Sequence, residues 1–375
     1  MKRLSNPFVI GKYVDKEYFC DRKKESELLV HHIVNGRHVT MMSERRMGKT
    51  GLIEHVFTNC LSNDYETFLI DIYTCKNLRE MVYLLANEVF KKISKKQPLL
   101  ERLLSIVRSL KTTLSYNTVT GQPEFGFGFG EITQPEITLD EILNYLETSD
   151  KVCVVAIDEF QKIADFEEDN IEALLRTKIQ HLKNTQFIFA GSERRLLEGI
   201  FSNPARPFYN SVVFMQLQPI EQSEYAKFCQ RLFLLYDKNV SELLVSRLYD
   251  CFQGITWYLQ LSMNEAFTMA ERGGHVGEDA YEHILNHMVD SKRFTFEDRY
   301  ASLTEKQKSV LLAIAAEFPK EPILTSQDFI TKYNLKTASS VQTAVKGLTE
   351  KCILTDNHGT KRPTDLLFML WLKNF

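Results

Sequence analysis

The octapeptide Ser43-Glu-Arg-Arg-Met-Gly48-Lys49-Thr50 stands between a short apolar run, His38-Val-Thr-Met-Met-Ser43, and a helical pattern from Gly51 to Leu61. The run is too short for a helix and rich in β-formers, so it predicts a buried strand. Strand, loop and helix in that order are the setting of a phosphate-binding loop. There, backbone N–H groups and a helix N-terminus face an anion. Gly48 lets the backbone approach a phosphate closely, Lys49 reaches the β- and γ-phosphate oxygens, and Thr50 offers its hydroxyl to Mg²⁺. Arg45, Arg46, Met47 and Gly51 complete the stretch expected to line the nucleotide, and the two arginines add positive potential beside it. Ser43 departs from the pattern G-x-x-x-x-G-K-[ST]: glycine is expected there, and serine resists positive φ more than glycine does.

A second motif supplies the other half of a hydrolytic site. Lys151-Val-Cys-Val-Val-Ala-Ile-Asp158 is a continuous apolar run ending in Asp158-Glu159. Such a run fits a parallel strand covered on both faces. Asp158 would bind Mg²⁺ directly or through water, and Glu159 would polarise the attacking water. The two motifs lie roughly 110 residues apart, which fits a strand order with other units between them. Gln186-Phe-Ile-Phe-Ala-Gly191 is another apolar run, and Ser192 at its end is placed to watch the γ-phosphate. Arg194, Arg195 and Arg206 follow. Arg206 is the first candidate for an arginine finger, since the flanking prolines hold it in a defined turn.

Outward from these motifs, Glu66–Tyr73 and Val212–Leu217 read as further strands, and Lys23–Val34, Leu78–Lys95, Thr138–Glu147 and Asn170–Leu182 as helices. Strands alternating with helices indicate an α/β fold with a parallel sheet flanked by helices. Within the core, Gly121-Gln-Pro-Glu-Phe-Gly-Phe-Gly-Phe-Gly130 alternates glycine and aromatic residues, which suggests a hairpin or loop inserted at about 112–134. From Ser223 to about Arg299 the patterns are helical. From Leu303 the composition turns basic, with ten Lys/Arg against seven Asp/Glu, although the whole chain of 375 residues carries a formal net charge of -3.

The 44% hydrophobic and 25% charged residues exclude a disordered chain, a collagen-like fibre and a disulfide miniprotein. The seven scattered cysteines never form C-x-x-C, which argues against a zinc ribbon and a disulfide framework and for reduced thiols. The opening residues lack the apolar run of a signal peptide, and no stretch approaches the ~20 apolar residues of a membrane span. A cytoplasmic protein is expected. The histidines show no H-E-x-x-H; His283 and His287 are spaced for one helix face without a third ligand.

Taken together, the chain resembles the archaeal-type ATPases of the STAND/AAA+ superfamily, relatives of origin-recognition ATPases. It is especially similar to their bacterial versions with an Arg-Arg-Met-Gly-Lys-Thr phosphate loop. Tyr18-Phe-Cys-Asp21-Arg22-Lys-Lys-Glu25 resembles the leader of that family, which lies over the adenine, so the resemblance makes Phe19 and Arg22 base-contact candidates. It carries over Lys49 and Thr50 as phosphate and Mg²⁺ residues, Asp158 and Glu159 as Mg²⁺ ligand and catalytic base, and Ser192 as the sensor. The family's lid usually shows Gly-x-Pro; here Gly254-Ile-Thr256 lacks the proline.

The resemblance also supports a C-terminal winged helix. Leu303 onward starts with a capping box, Thr304 to Gln307, and an apolar stripe. A second short helix begins near Leu324. A third, from Thr337, can enter a major groove. Ile353 to Arg362 suggests a strand, a tight turn and a basic wing, and Phe368–Leu372 a closing apolar strand. Duplex DNA would be met through residues 337–365, by Ser339, Ser340, Gln342, Lys346, Lys361 and Arg362. The expected architecture is therefore a P-loop core over 1–220, a helical lid over 221–300 and a winged helix-turn-helix domain over 301–375. The expected function is Mg-dependent hydrolysis of ATP to ADP and phosphate. Mg-ATP would bind between core and lid and switch a DNA- or protein-binding tail, with a protein partner or self-association open. A DNA-binding regulator with structural nucleotide and negligible hydrolysis is the alternative.

Overall fold

The structure is a computed structural model, and residues 4–93, 113–116, 123–126, 132–357 and 360–374 are described. The chain divides into two compact units. One spans Lys12–Gln218; the other begins at Pro219 and takes in the N-terminal residues up to Gly11.

The first unit is an α/β layer. Its strands are β1 (Val39–Met42), β2 (Tyr65–Asp71), β5 (Val152–Asp158), β6 (Thr185–Gly191) and β7 (Val213–Gln216). All pair in parallel in the order β2-β5-β6-β1-β7. The apolar runs follow from this order. The three inner strands are buried on both faces almost throughout, whereas the edge strands β2 and β7 alternate buried with accessible positions. The helices α1 (Lys23–Val34), α2 (Lys49–Asn59), α3 (Leu78–Ile93), α4 (Pro135–Glu147), α5 (Ile171–Ile179) and α6 (Arg194–Ser202) belong to the same unit. The fold is that of a P-loop ATPase. Parallel register sets the strand ends side by side: Asp71 is opposite Asp158, and Met42 is opposite Gly191 and Gln216. The carboxyl edge of the sheet is where α/β folds place their ligands.

The expected insertion is present in part: β3 (Thr113–Tyr116) pairs antiparallel with β4 (Pro123–Gly126). The Phe127–Gly130 end of its glycine–aromatic run lies outside the described residues.

The second unit starts with α7 (Gln222–Leu235), α8 (Glu242–Cys251), α9 (Thr256–Met269) and α10 (Ala280–Asp290). Two short strands the helical reading passes over, β8 (Asn239–Val240) and β9 (His275–Val276), pair in parallel between them. The N-terminus packs here. Phe8 is fully buried among Phe228, Phe233 and Phe267, and Asn264 donates to its carbonyl at 2.7 Å. Gly254, at φ +71, leaves no room for a side chain: a Cβ would meet Pro219 and Tyr249, each at 2.7 Å.

The winged-helix elements are α11 (Arg293–Ala301), α12 (Glu305–Glu317), α13 (Gln327–Lys332), α14 (Ala338–Glu350), the antiparallel pair β10 (Leu354–Asn357) and β11 (Thr360–Pro363), and α15 (Leu366–Lys373). Both bonds of the Thr304–Gln307 capping box form. The turn of the wing at His358 and Gly359 lies outside the described residues. The expected closing strand at Phe368–Leu372 is instead helical, as α15. Asp365 caps it by accepting from Leu367 N at 3.1 Å, and burial of nearly every side chain removes the polar stripe that marks a helix. Tyr258 of α9 ties that helix to the winged-helix elements: its hydroxyl donates to Asp365 Oδ1 at 3.1 Å and accepts from Leu366 N at 3.0 Å. Among the described residues no helix is long and apolar enough to cross a membrane.

His38, the residue before β1, is in its neutral form. Its Nδ1 accepts from Phe187 N at 3.1 Å, and burial, aided by Arg176, lowers its pKa to about 4 from an ordinary 6.5. The unfolded chain therefore binds a proton here before the folded chain does. Stability is full above pH 6.5 and falls toward pH 4, by on the order of 2–3 kcal/mol. Urea midpoints at pH 7 and 4.5 for wild type and His38→Gln should show a smaller acid loss in the variant; parallel losses would exclude His38 as the source.

Candidate active site

The octapeptide forms the turn between β1 and α2, with Lys49 opening the helix. Left-handed backbone falls at Arg46 (φ 68) and Gly48 (φ 89), not at Ser43. Serine therefore fits where the motif expects glycine, while the turn draws on Gly48 and strains Arg46. Ser43 is buried, donates to Glu44 O at 2.8 Å and accepts from Lys49 Nζ at 3.3 Å.

Lys49 is 6% exposed. Burial pushes its pKa below the usual lysine range, Asp158 and Glu159 pull it back up, and Arg45 opposes them. The acidic pair faces the loop because only one strand, β6, separates β5 from β1. Thr50 Oγ1 donates to Asp158 Oδ2 at 2.5 Å, so two hard oxygens from distant parts of the chain already meet. Among the described residues no cluster of three His, Cys, Asp or Glu could hold a metal. Two protein oxygens supplemented by water and phosphate oxygens are what Mg²⁺ uses, so the residues present fit that ion.

Glu159 is left-handed at φ 55, the bend that turns β5 into the 3₁₀ helix Phe160–Asp165. Its Oε2 accepts from Ser192 Oγ at 2.9 Å and from Gln161 Nε2 at 2.5 Å. Ser192 in turn accepts from Arg45 Nε at 3.4 Å, and Arg45 pairs with Glu193 at 3.6 Å. The loop, the acidic pair and Ser192 are thus one hydrogen-bonded network. Asp71, at the end of β2 beside Asp158, is raised by burial and by the charges of Asp158 and Glu159.

Two expected residues have partners of another kind. Arg22 is 3% exposed, and its guanidinium donates to Glu25 Oε1 at 2.8 Å, Gln218 O at 2.5 Å and Met47 O at 3.3 Å. It therefore grips the phosphate-loop backbone and the last residue of this unit. Arg206 forms a two-pronged pair with Glu172 of α5, and neighbouring Phe208 anchors its turn in the core. An arginine finger at Arg206 would have to leave that pair. Phe19 stacks on His55 of α2 at 4.2 Å and 12° and lies over Gly51 at ordinary contact distance. Tyr13 joins that cluster by a bond to His55 Nδ1 at 3.2 Å.

The sequence reading passes over Gln161, Asp71, His55 and Tyr13. Adjacency to Asp158-Glu159 could have flagged Gln161. Nothing local marks the other three, which reach the site through strand register and packing.

The comparisons bear on the fold. A family model described as a probable winged helix domain matches residues 294–374. The Walker-type ATPase of Pyrococcus abyssi is similar over 98% of this chain and 99% of its own, with a TM-score of 0.65 and 17% identity. The Aeropyrum pernix ORC2 protein, solved as ADPNP-ADP complexes, is similar over 98% and 95%, with a TM-score of 0.55 and 14% identity. No curated protein matches the chain.

Arg22→Lys keeps the charge but cannot span three acceptors. Affinity for ATP and GTP, measured by equilibrium titration, should fall together by roughly tenfold, about 1.4 kcal/mol. A loss confined to ATP would mark Arg22 as a base contact instead.

Proposed function

We propose that this protein is a Mg-dependent ATPase whose hydrolysis of ATP to ADP and phosphate switches a winged-helix domain. The observation that carries the reading is the meeting of Thr50 with Asp158 at 2.5 Å, beside buried Lys49 and hydrogen-bonded Glu159. Lys49 and the loop amides of Arg46 to Gly51 hold the phosphates. Thr50 and Asp158 hold Mg²⁺, which supplies charge neutralisation at the transferring phosphoryl group. Phe19 and its aromatic neighbours lie beside the first turn of α2 and offer a face to the base.

Glu159 takes the proton of the attacking water as the water oxygen bonds to the γ-phosphorus. The bond from that phosphorus to the bridging oxygen breaks, and its electrons leave with ADP. Ser192 keeps Glu159 and Arg45 in register with the γ-phosphate. Arg206 is the finger only when a partner or closure exchanges its contact with Glu172; without that, turnover is slow. The alternative with negligible hydrolysis drew support from Ser43. Its backbone lies outside the left-handed region, so serine fits the loop where the motif expects glycine. This reading includes kinship with the bacterial version of the STAND/AAA+ ATPases, which the loop sequence Arg-Arg-Met-Gly-Lys-Thr supports, and a cytoplasmic location.

The tail contacts duplex DNA or a protein through α14 and the wing. Ser339, Gln342 and Lys346 are exposed on α14 beside the half-buried Ser340. A groove of about 600 Å³ runs between α14 and the wing, lined in part by Gln342, Lys346 and Lys361. The three cations each face an acid: Lys346 with Glu350, Lys361 with Asp356, Arg362 with Glu321. That balance favours the protein partner as a second reading, since phosphate contacts would have to displace these pairs.

Steady-state hydrolysis by wild type against Glu159→Gln, with and without duplex DNA, tests the site: activity lost in the variant is expected, and an equally active variant would end the reading. If DNA is the partner through these three cations, affinity should fall about forty-fold between 50 and 200 mM salt. A salt-independent or absent interaction would leave the protein partner.

A further inference from the structure

We infer that Gln161 is a positioning residue that aims the Glu159 carboxylate; this rests on the ATPase reading above. A glutamate after a strand end rotates freely about its outer bonds, and a base acts only when one oxygen faces the proton it removes. Here Phe160 immobilises the turn. It is fully buried against Phe189, Phe201 and Phe208, with ring centroids 4.4–5.8 Å away. Its neighbours on either side, Glu159 and Gln161, are thereby held side by side.

Gln161 is 1% exposed, and its Nε2 donates to Glu159 Oε2 at 2.5 Å. Ser192 Oγ reaches the same oxygen at 2.9 Å but Oε1 only at 3.3 Å. Two donors on separate elements thus occupy Oε2 and fix the carboxylate plane, which assigns Oε1 to receive the proton of water. The molecule makes room for this amide. A Cβ on Gly191 would lie 2.0 Å from Gln161 Oε1 and 2.9 Å from Leu197 Cδ1, so a side chain at that position would push the amide aside. Gln161 Oε1 is itself buried without a hydrogen-bond partner. Packing alone would be met by leucine without that orphaned acceptor, so the side chain is explained by what its N–H group holds.

The test compares single-turnover hydrolysis and equilibrium ATP binding for the full chain. Gln161→Leu keeps bulk and removes the donor. It should lower the hydrolysis rate about tenfold, leave ATP affinity within twofold, and cause no further loss when added to Glu159→Gln. Gly191→Ala displaces the amide from the other side and should give the same split, which keeps the test open if Gln161→Leu folds poorly. A wild-type rate in both variants would overturn the assignment. So would affinity falling in parallel with rate, or an equal loss on top of Glu159→Gln. A wild type with no Glu159-dependent hydrolysis fails the ATPase reading itself, whereas Glu159-dependent hydrolysis unaffected by Gln161→Leu fails only this inference.

Discussion

A buried ammonium needs nearby negative charge, and the arrangement around Lys49 meets that requirement. The side chain is 6% exposed at the start of α2, where burial alone drives it toward its neutral form and the helix N-terminus adds unfavourable positive potential. Asp158 and Glu159 oppose both effects. They do so from a strand more than a hundred residues away, because parallel pairing sets β5 one strand from β1.

The turn around the acidic pair is built to be rigid. Four phenylalanines, Phe160, Phe189, Phe201 and Phe208, gather under it. They bring the 3₁₀ turn, strand β6 and the Arg206 loop into one apolar cluster, so a left-handed Glu159 is held in place. On the other side of the phosphate loop, Arg22 bonds both Met47 O and Gln218 O. The residue after Gln218 begins the second unit, in which α9 and the winged helix share the Tyr258–Asp365 contact. Arg22 therefore ties the phosphate loop to the point where the chain leaves the first unit.

Much of this was legible from local pattern. The inner strands announced themselves as continuous apolar runs because both faces are covered, and Asp158-Glu159 stood out as charge at the end of such a run. The capping box at Thr304 was readable because caps are local chemistry. Where burial erased the pattern, reading failed: Leu366–Lys373 is apolar on nearly every side and forms a helix, although the same composition suits a strand. Arg206 shows a different limit. Its prolines and its turn were visible, but Glu172, its partner from α5, was not.

Alone, the sequence determined most of the element types, the phosphate loop, the acidic pair and the winged-helix pattern, since each depends on neighbours within a few residues. Only the tertiary structure decided which groups meet: Thr50 with Asp158, Gln161 beneath Gly191, and Arg22 across Met47 and Gln218. These contacts depend on strand order and close packing, which bring together residues up to 196 positions apart. No local periodicity encodes such a meeting, because its partners lie on separate elements that only strand order and packing bring side by side.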